Sequence, residues 1–330
     1  MQGVVVKSLG SAYSVRLSDG RVVECRVKGN FRLKGIRSTN PVAVGDYVVV
    51  TLREDGTAYI VDILERKNYI VRKASNLSKQ SHILAANLDQ CFLVVTINHP
   101  VTSTTFIDRF LASAEAYRVP VIPVFNKTDI YTPDELAELD YLIALYESIG
   151  YKCLRTSVES GEGIEELKEM MRGKVSLLAG NSGVGKSSLV NAVAPQIAVR
   201  IGEISRIHDK GMHTTTYSEM FEFMPDSFIV DTPGVKGFGT FGMEAEEIAH
   251  YFVEFFELSS GCKYGNCTHT HEPGCAVRRG LEEGTLQPGR VKNYMQLHDE
   301  SDHTALLARK KEKMKQVSKF SKALKKERGR

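Results

Sequence analysis

Gly180-Asn181-Ser182-Gly183-Val184-Gly185-Lys186-Ser187 sets two glycines, a lysine and a hydroxyl at the spacing G-x-x-x-x-G-K-S, with Ser188 directly behind. Glycines at those places let a backbone curl so that its N–H groups converge on one anion, at the positive end of a helix opening at Lys186. The anion such a loop cradles is the phosphate chain of a nucleotide. Lys186 is then expected to reach the β- and γ-phosphates, and Ser187 to ligate Mg²⁺. Asp231-Thr232-Pro233-Gly234 supplies an acid to hold that ion through water and, in Gly234, an N–H to sense the γ-phosphate. Between the two, Thr215 of His213-Thr214-Thr215-Thr216 is expected to add its hydroxyl to the metal, with Thr214 and Thr216 as neighbouring alternatives. Val235 follows the acid motif and cannot orient a water, which leaves His213 as the candidate for positioning the nucleophile.

A phosphate loop does not separate ATP from GTP; two other runs do. Asn126-Lys127-Thr128-Asp129 closes an apolar strand. A carboxylate at Asp129 accepts from both N1–H and the exocyclic amine of guanine, and adenine offers no such donor pair. Asn126 is expected to brace the loop and the stem of Lys127 to cover the base. Thr156-Ser157-Val158 ends another strand in a short turn, where the backbone of Ser157 and Val158 suits the guanine carbonyl. These base-reading runs precede the phosphate loop, Thr215 and Asp231, the reverse of the usual order. A circular permutation of one sheet explains this, because old termini that lie close together can be rejoined.

Cys262-x₄-Cys267-x-His269-x₅-Cys275 gathers three thiols and an imidazole within fourteen residues, a donor set suited to one closed, structural Zn²⁺ site. His271 competes for the fourth place. Cys25, Cys91 and Cys153 stand singly in apolar runs and read as small buried residues.

Three kinds of element must position these groups. Gly3–Leu9, Ala12–Leu17, Arg21–Val27, Val44–Leu52 and Thr57–Leu64 read as short strands, with turns at Ser18-Asp19-Gly20 and Glu54-Asp55-Gly56. They make residues 1–66 an all-β barrel of the OB type. Its loop Lys28–Arg37 carries Lys28, Arg32, Lys34 and Arg37 around Phe31, fitted to phosphates and a stacked base or simply to solvent. Residues 67–82 read as a connector. Residues 83–243 alternate strands (Cys91–Ile97, Val119–Phe125, Tyr151–Thr156, Lys174–Ala179, Tyr217–Phe223, Phe228–Asp231) with helices (Thr104–Tyr117, Pro133–Ile149, Gly163–Met171, Lys186–Val193), an α/β P-loop domain. Residues 244–330 are expected to form an α-helical zinc-binding module. It opens with one apolar helix (Ile248, Tyr251, Phe252, Phe255, Phe256) and ends in a basic helical tail. Gly234, Gly237, Gly239 and Gly242 offer hinges between the two, so loss of the γ-phosphate is expected to reorient the C-terminal module.

With 42% hydrophobic and 25% charged residues, the composition is that of a globular protein with a real core. No apolar run is long enough to span a membrane and no signal peptide opens the chain, so the cytoplasm is the expected compartment. Between Arg309 and Arg330 stand eleven Lys or Arg and two Glu, while the whole chain carries only +3, so the rest is acidic. A basic tail on an acidic body suits a polyanion, nucleic acid above all, although a solubilising terminus has the same composition.

The barrel, the permuted order, Gly-Asn-Ser-Gly-Val-Gly-Lys-Ser, His-Thr-Thr-Thr, Asp-Thr-Pro-Gly and the cysteine spacing together resemble the bacterial small-ribosomal-subunit-dependent GTPase family (RsgA) over nearly the whole chain. Met212 departs from that pattern, standing where a basic residue is expected. The resemblance implies a monomeric GTPase that binds the small ribosomal subunit and its rRNA late in assembly, is stimulated there and leaves after hydrolysis. A nucleotide-gated RNA-binding protein with incidental hydrolysis is the alternative. A small-molecule kinase is disfavoured, because Asp129 reads guanine and no acceptor pocket is apparent.

Overall fold

The computed structural model describes residues 1–27, 41–54, 56–73, 81–197, 218–231 and 243–303, and the chain divides into two compact units, Met1–Phe241 and Gly242–Arg330. In the first, strands β1 (Gln2–Ser8), β2 (Ala12–Leu17), β3 (Val22–Val27), β4 (Tyr47–Leu52) and β5 (Ala58–Ile63) follow the alternation of β-branched and polar residues. They pair β1–β2–β3–β5–β4, and β4 returns to β1 through Gln2↔Val49, Gly3↔Val48 and Val4↔Tyr47, closing a five-stranded barrel. Val5, Tyr13, Val15, Val48, Val50 and Ile60 fill its interior. Closure leaves no free edge, the usual solution for a sheet too small to protect its own. The basic loop Lys28–Arg37 lies outside the described residues.

The stretch 67–82 is more than a connector. Strand β6 (Tyr69–Lys73) pairs antiparallel with β7 (Ser81–Ala86), and the polar residues between them hid this hairpin from a composition-based reading. Its base ties the barrel to the next sheet. Arg66 grips Asp46 through two hydrogen bonds of 2.6 Å each and reaches the Pro41 carbonyl as well. Asp46 is fully buried; such a pair is tolerable only because the fork geometry and the extra acceptor satisfy both charges. Asn68 exchanges two 2.8 Å bonds with the Leu88 backbone, and Asn87 donates to the Gly45 carbonyl at 2.9 Å. A Cβ on Gly45 would lie 2.0 Å from the Ala86 oxygen, so this junction admits only glycine.

The second sheet runs β10 (Leu154–Thr156), β9 (Val121–Asn126), β8 (Gln90–Val95), β11 (Val175–Ala179), β13 (Ser227–Asp231), β12 (Ser218–Met224), parallel except for β12. Helices α1 (Thr104–Ala116), α2 (Pro133–Ser148), α3 (Ile164–Met170) and α4 (Lys186–Val193) alternate with its parallel strands. Thr132 and Glu135 form a reciprocal capping box at the start of α2, with Pro133 in the first turn. From β8 the chain winds outward to β10. It then returns to β11, beside β8, and fills the other side. In open sheets ligands bind at such a switch point, beyond the carboxyl ends of the strands. The outermost strand β12 also pairs with β1 of the barrel, so both sheets merge into one of eleven strands.

In the second unit, the expected single apolar helix is broken. A 3₁₀ turn over Ala245–Tyr251 ends at Phe252, which is extended (φ −97°, ψ 104°), and α5 (Val253–Ser259) starts afresh. Phe252 and Phe255 pack edge-on against Tyr294 of a helix over 288–303, while Phe256 is 60% exposed. A break of direction at Phe252 lets both it and Phe255 face inward, which one continuous helix with five apolar residues did not predict. The buried pair Glu254–Arg290 (2.7 and 2.9 Å) ties the two helices, with the Arg290 guanidinium 4.5 Å over the Phe252 ring. Among the described residues no helix is long and apolar enough to cross a membrane.

Candidate nucleotide site and metal centre

The phosphate loop leaves β11 at Ala179 and enters α4 at Lys186. Gly180, Gly183 and Gly185 take positive φ (137°, 85° and 97°). Two of them also let neighbours press in: a Cβ would meet the Val94 oxygen at 2.1 Å on Gly180, and Asn126 Nδ2 at 2.3 Å on Gly185. Val184 is buried beneath, Asn181 is half-buried, and Ser182, Ser187 and Ser188 are exposed. Lys186 Nζ folds back to donate to the carbonyls of Gly180 (2.9 Å) and Asn181 (2.6 Å), which holds its charge over the loop.

The base-reading runs 126–129 and 156–158 precede this loop in the chain, and Asn126 fastens them onto it. Asn126, 2% exposed at the end of β9, donates through Nδ2 to the Val184 carbonyl (2.8 Å) and accepts from Thr156 Oγ1 (2.9 Å). Lys127, in the left-handed region (φ 68°), reaches across to the carbonyls of Gly183 (2.7 Å) and His99 (2.6 Å). Asp129 accepts from the Ser157 hydroxyl, so the two base-reading loops are also joined to each other. Ser157 is buried and Val158 is partly exposed beside it. Asp231 ends β13, adjacent to β11, with Glu219 of β12 as its cross-strand partner. Met212, His213, Thr214, Thr215, Thr216, Gly234 and Val235 lie outside the described residues.

Three contributors escaped the sequence reading. The turn after β8 runs along the phosphate loop, with Pro100 3.5 Å from where a Gly183 Cβ would be and with the His99 carbonyl taking Lys127. Tyr131 donates its hydroxyl to the Asn126 carbonyl (2.6 Å) and accepts from Ile97 N–H (3.0 Å); burial pushes its pKa up to about 12. Glu162 accepts from Thr128, steadying the base loop. A polar Asn98-His99-Pro100 run closing an apolar strand was the available signal for the first. The roles of Tyr131 and Glu162 come from contacts that spacing alone does not reveal.

In the second unit, Cys262, Cys267, His269 and Cys275 bring one ligand atom each within 4.8 Å of one another. His269 Nδ1 lies 3.6 Å from Cys262 Sγ and 3.4 Å from Cys275 Sγ. A tetrahedral zinc site, with Zn–S about 2.3 Å and Zn–N about 2.0–2.1 Å, has S···N edges of about 3.5 Å, so the donors fit that ion. His271 is exposed and pairs with Thr270 Oγ1 at 2.8 Å instead. Burial lowers the His269 pKa, which favours the neutral, ligating imidazole. Burial also pushes the Cys267 thiol up to about 12. Backbone N–H groups of Ala276 and Arg278 point at the Cys262 and Cys275 sulfurs (3.3 and 3.5 Å). Glu272 closes the loop by accepting from Thr268 N–H and Oγ1.

A parallel sheet with a phosphate loop at its switch point, and an Asn-Lys-x-Asp loop bolted to it, defines a P-loop GTPase, here circularly permuted. Residues 63–241 match the family model described as RsgA GTPase, residues 2–60 that of the RsgA N-terminal domain, and 175–328 that of a 50S ribosome-binding GTPase. The last begins at the strand feeding the phosphate loop, where a GTPase in the ordinary order starts. Small ribosomal subunit biogenesis GTPase RsgA of Bacteroides fragilis is 61% identical over 92% of this chain and 97% of its own length. The protein of that name from Porphyromonas gingivalis is 56% identical over 92% and 98%. YjeQ from Thermotoga maritima superposes with a TM-score of 0.72 at 35% identity, covering 91% of this chain and 98% of that one. YloQ, described as a circularly permuted GTPase, gives 0.71 at 30% identity, covering 92% and 95%. The chain belongs to the RsgA GTPase family.

Proposed function

We propose that this GTPase acts in late maturation of the small ribosomal subunit, hydrolysing GTP when bound there and leaving afterwards. The names of its relatives support the setting, and the Asn126 brace between Val184 and Thr156 is the observation that carries the chemistry. That brace makes one site of a base-reading loop and a phosphate cradle far apart in the chain.

In this reading Asp129 pairs with the guanine edge, Lys127 covers the ring, and Ser157 and Val158 offer backbone to its carbonyl. Gly180, Asn181, Ser182, Gly183, Val184, Gly185, Lys186, Ser187 and Ser188 wrap the phosphates, and Lys186 swings from its carbonyl partners to the β- and γ-oxygens. Mg²⁺, when bound, neutralises charge developing on the oxygens between the two outer phosphates. Ser187 and Thr215 would hold it directly and Asp231 through water, while Gly234 senses the γ-phosphate. His213 orients the attacking water. Cys262, Cys267, His269 and Cys275 hold one structural zinc, which staples a segment with too little core of its own. The basic loop at Lys28–Arg37 and the tail from Arg309 suit rRNA as the partner surface. A monomer working in the cytoplasm completes the reading.

The test mixes protein, GTP and purified small subunits and follows phosphate release. Stimulation of about tenfold or more is expected, in the range a partner-supplied positioning group contributes. Nucleotide-dependent binding to the subunit without turnover would replace this reading with that of a GTP-gated RNA-binding protein.

A further inference from the structure

The barrel and the nucleotide sheet meet along a seam that grips both ends of one hairpin. Among the described residues, strand β1 pairs with β12 at two positions, Lys7↔Glu219 and Ser8↔Ser218. Glu219 is in turn the cross-strand partner of Asp231, so barrel, β12 and the end of β13 form one row. Lys7 Nζ lies 3.3 Å from the Glu219 carboxylate. At the hairpin's other end Arg16 of the barrel bonds Glu222 at 2.6 Å, stands 3.9 Å from Asp226, and lays its guanidinium 4.8 Å over the Phe228 ring. Glu222 itself accepts from Asp226 N–H (3.1 Å), closing the turn. Phe228 sits beside Val175 of β11, the strand that feeds the phosphate loop.

From these contacts we infer that Lys7 and Arg16, both in the barrel, are positioning residues for the nucleotide site. The inference rests on the assignment of Asp231 to the metal side of that site. The hairpin carries this acid at its open end, where Asp231 closes β13 opposite the start of β12. Two facing carboxylates, Glu219 and Asp231, repel one another across the strands unless a cation offsets one. Lys7 stands beside Glu219 and offsets its charge. Both pairs sit at the half-exposed margin of the sheet, with Lys7 and Glu219 at 30% and 13% exposure and Arg16 and Glu222 at 28% and 41%; partly solvated pairs add modestly to global stability, so their effect here is local, on the register and charge of the hairpin. A barrel shifted by its RNA partner would then move this acid with it.

The test compares wild type with Lys7→Gln/Arg16→Gln and with the charge swap Lys7→Glu/Glu219→Lys, in the full-length protein. Backbone hydrogen exchange over 218–231 is expected to quicken about fivefold in the double variant, and the Mg²⁺ concentration for half-maximal hydrolysis to rise by about the same factor, the size of one surface pair. GDP affinity without Mg²⁺ should stay within about twofold, since neither residue touches the loops that hold base and phosphates. The swap should restore slow exchange and the low Mg²⁺ requirement. Unchanged exchange and Mg²⁺ dependence in the double variant, or a swap that restores neither, would overturn the inference. Lys7→Gln alone serves if the double variant does not fold. A wild type unable to hydrolyse GTP would instead count against the site assignment, while exchange still reports on the seam.

Discussion

Asn126 joins elements that the chain keeps far apart: its amide nitrogen holds the phosphate loop at Val184, its amide oxygen holds Thr156, and its backbone carbonyl takes the Tyr131 hydroxyl. Its type and place were legible because an Asn-Lys-x-Asp run at a strand's end has few other uses. Tyr131 was not legible, since a buried phenol that closes a loop looks in sequence like any core aromatic. His213 marks the reverse case, legible as a residue type beside three threonines while its geometry lies beyond the described residues. In the proposed role of orienting water, it should matter to turnover and little to binding. His213→Ala is expected to lower kcat by about 10²-fold or more while GTP affinity stays within about twofold, measured by single-turnover hydrolysis and equilibrium binding. A comparable loss of affinity would place it in the binding shell instead.

At the scale of elements, periodicity located the barrel strands and the α/β alternation to within three residues, the starts of β4 and β10 being the furthest off, because each element's apolar face is set by local spacing. It failed at β6, where Tyr69-Ile70-Val71 is short and followed by a polar run, and at Phe252, where packing against Tyr294 overrides the helical pattern. The Cys/His loop was legible as a metal site from its donors, and the choice of His269 over His271 became clear only from burial. This element also separates the six cysteines into two chemical classes. Burial raises Cys25 to about 11 and Cys153 to about 12, and lifts Cys91 further. Thiol labelling of the native protein is therefore expected to be slow throughout. When a chelator strips the metal, the loop that Cys262, Cys267 and Cys275 tether should open, so that these thiols react before the three in the sheets, and the second unit should melt at lower temperature. Equal labelling of all six, or a melting curve indifferent to the chelator, would contradict a structural zinc.

For the molecule as a whole, the barrel is welded to the nucleotide sheet at the Gly45–Asn87 junction and at the β1–β12 seam, so the first unit should respond to pH as one body. Tyr13 in the barrel and Tyr131 beside the nucleotide site are both pushed up to about 12, mainly by burial. In the unfolded chain these phenols ionise near pH 10. The unfolded state therefore loses protons first: stability is full below about pH 10 and falls as the pH climbs toward about 12. In difference titrations of wild type against Tyr13→Phe and Tyr131→Phe, the tyrosinate absorbance that each variant lacks should rise together with loss of the folded signal. That missing absorbance appearing well before unfolding would mean that these rings are more accessible than their packing indicates. Permutation itself was legible only from motif order; that the two halves still close on one crevice follows from β8 and β11 lying side by side.

Calorimetric titration of the protein with GTP and with ATP, in the wild type and in Asp129→Asn, addresses the arrangement most directly. GTP is expected to bind at least about 100-fold more tightly than ATP, and Asp129→Asn to lose about 100-fold in GTP affinity, the scale of one or two charge-assisted hydrogen bonds. Equal affinity for both nucleotides, or GTP binding indifferent to Asp129→Asn, would mean that the Asn126–Asp129 loop and the phosphate cradle do not serve one guanine nucleotide.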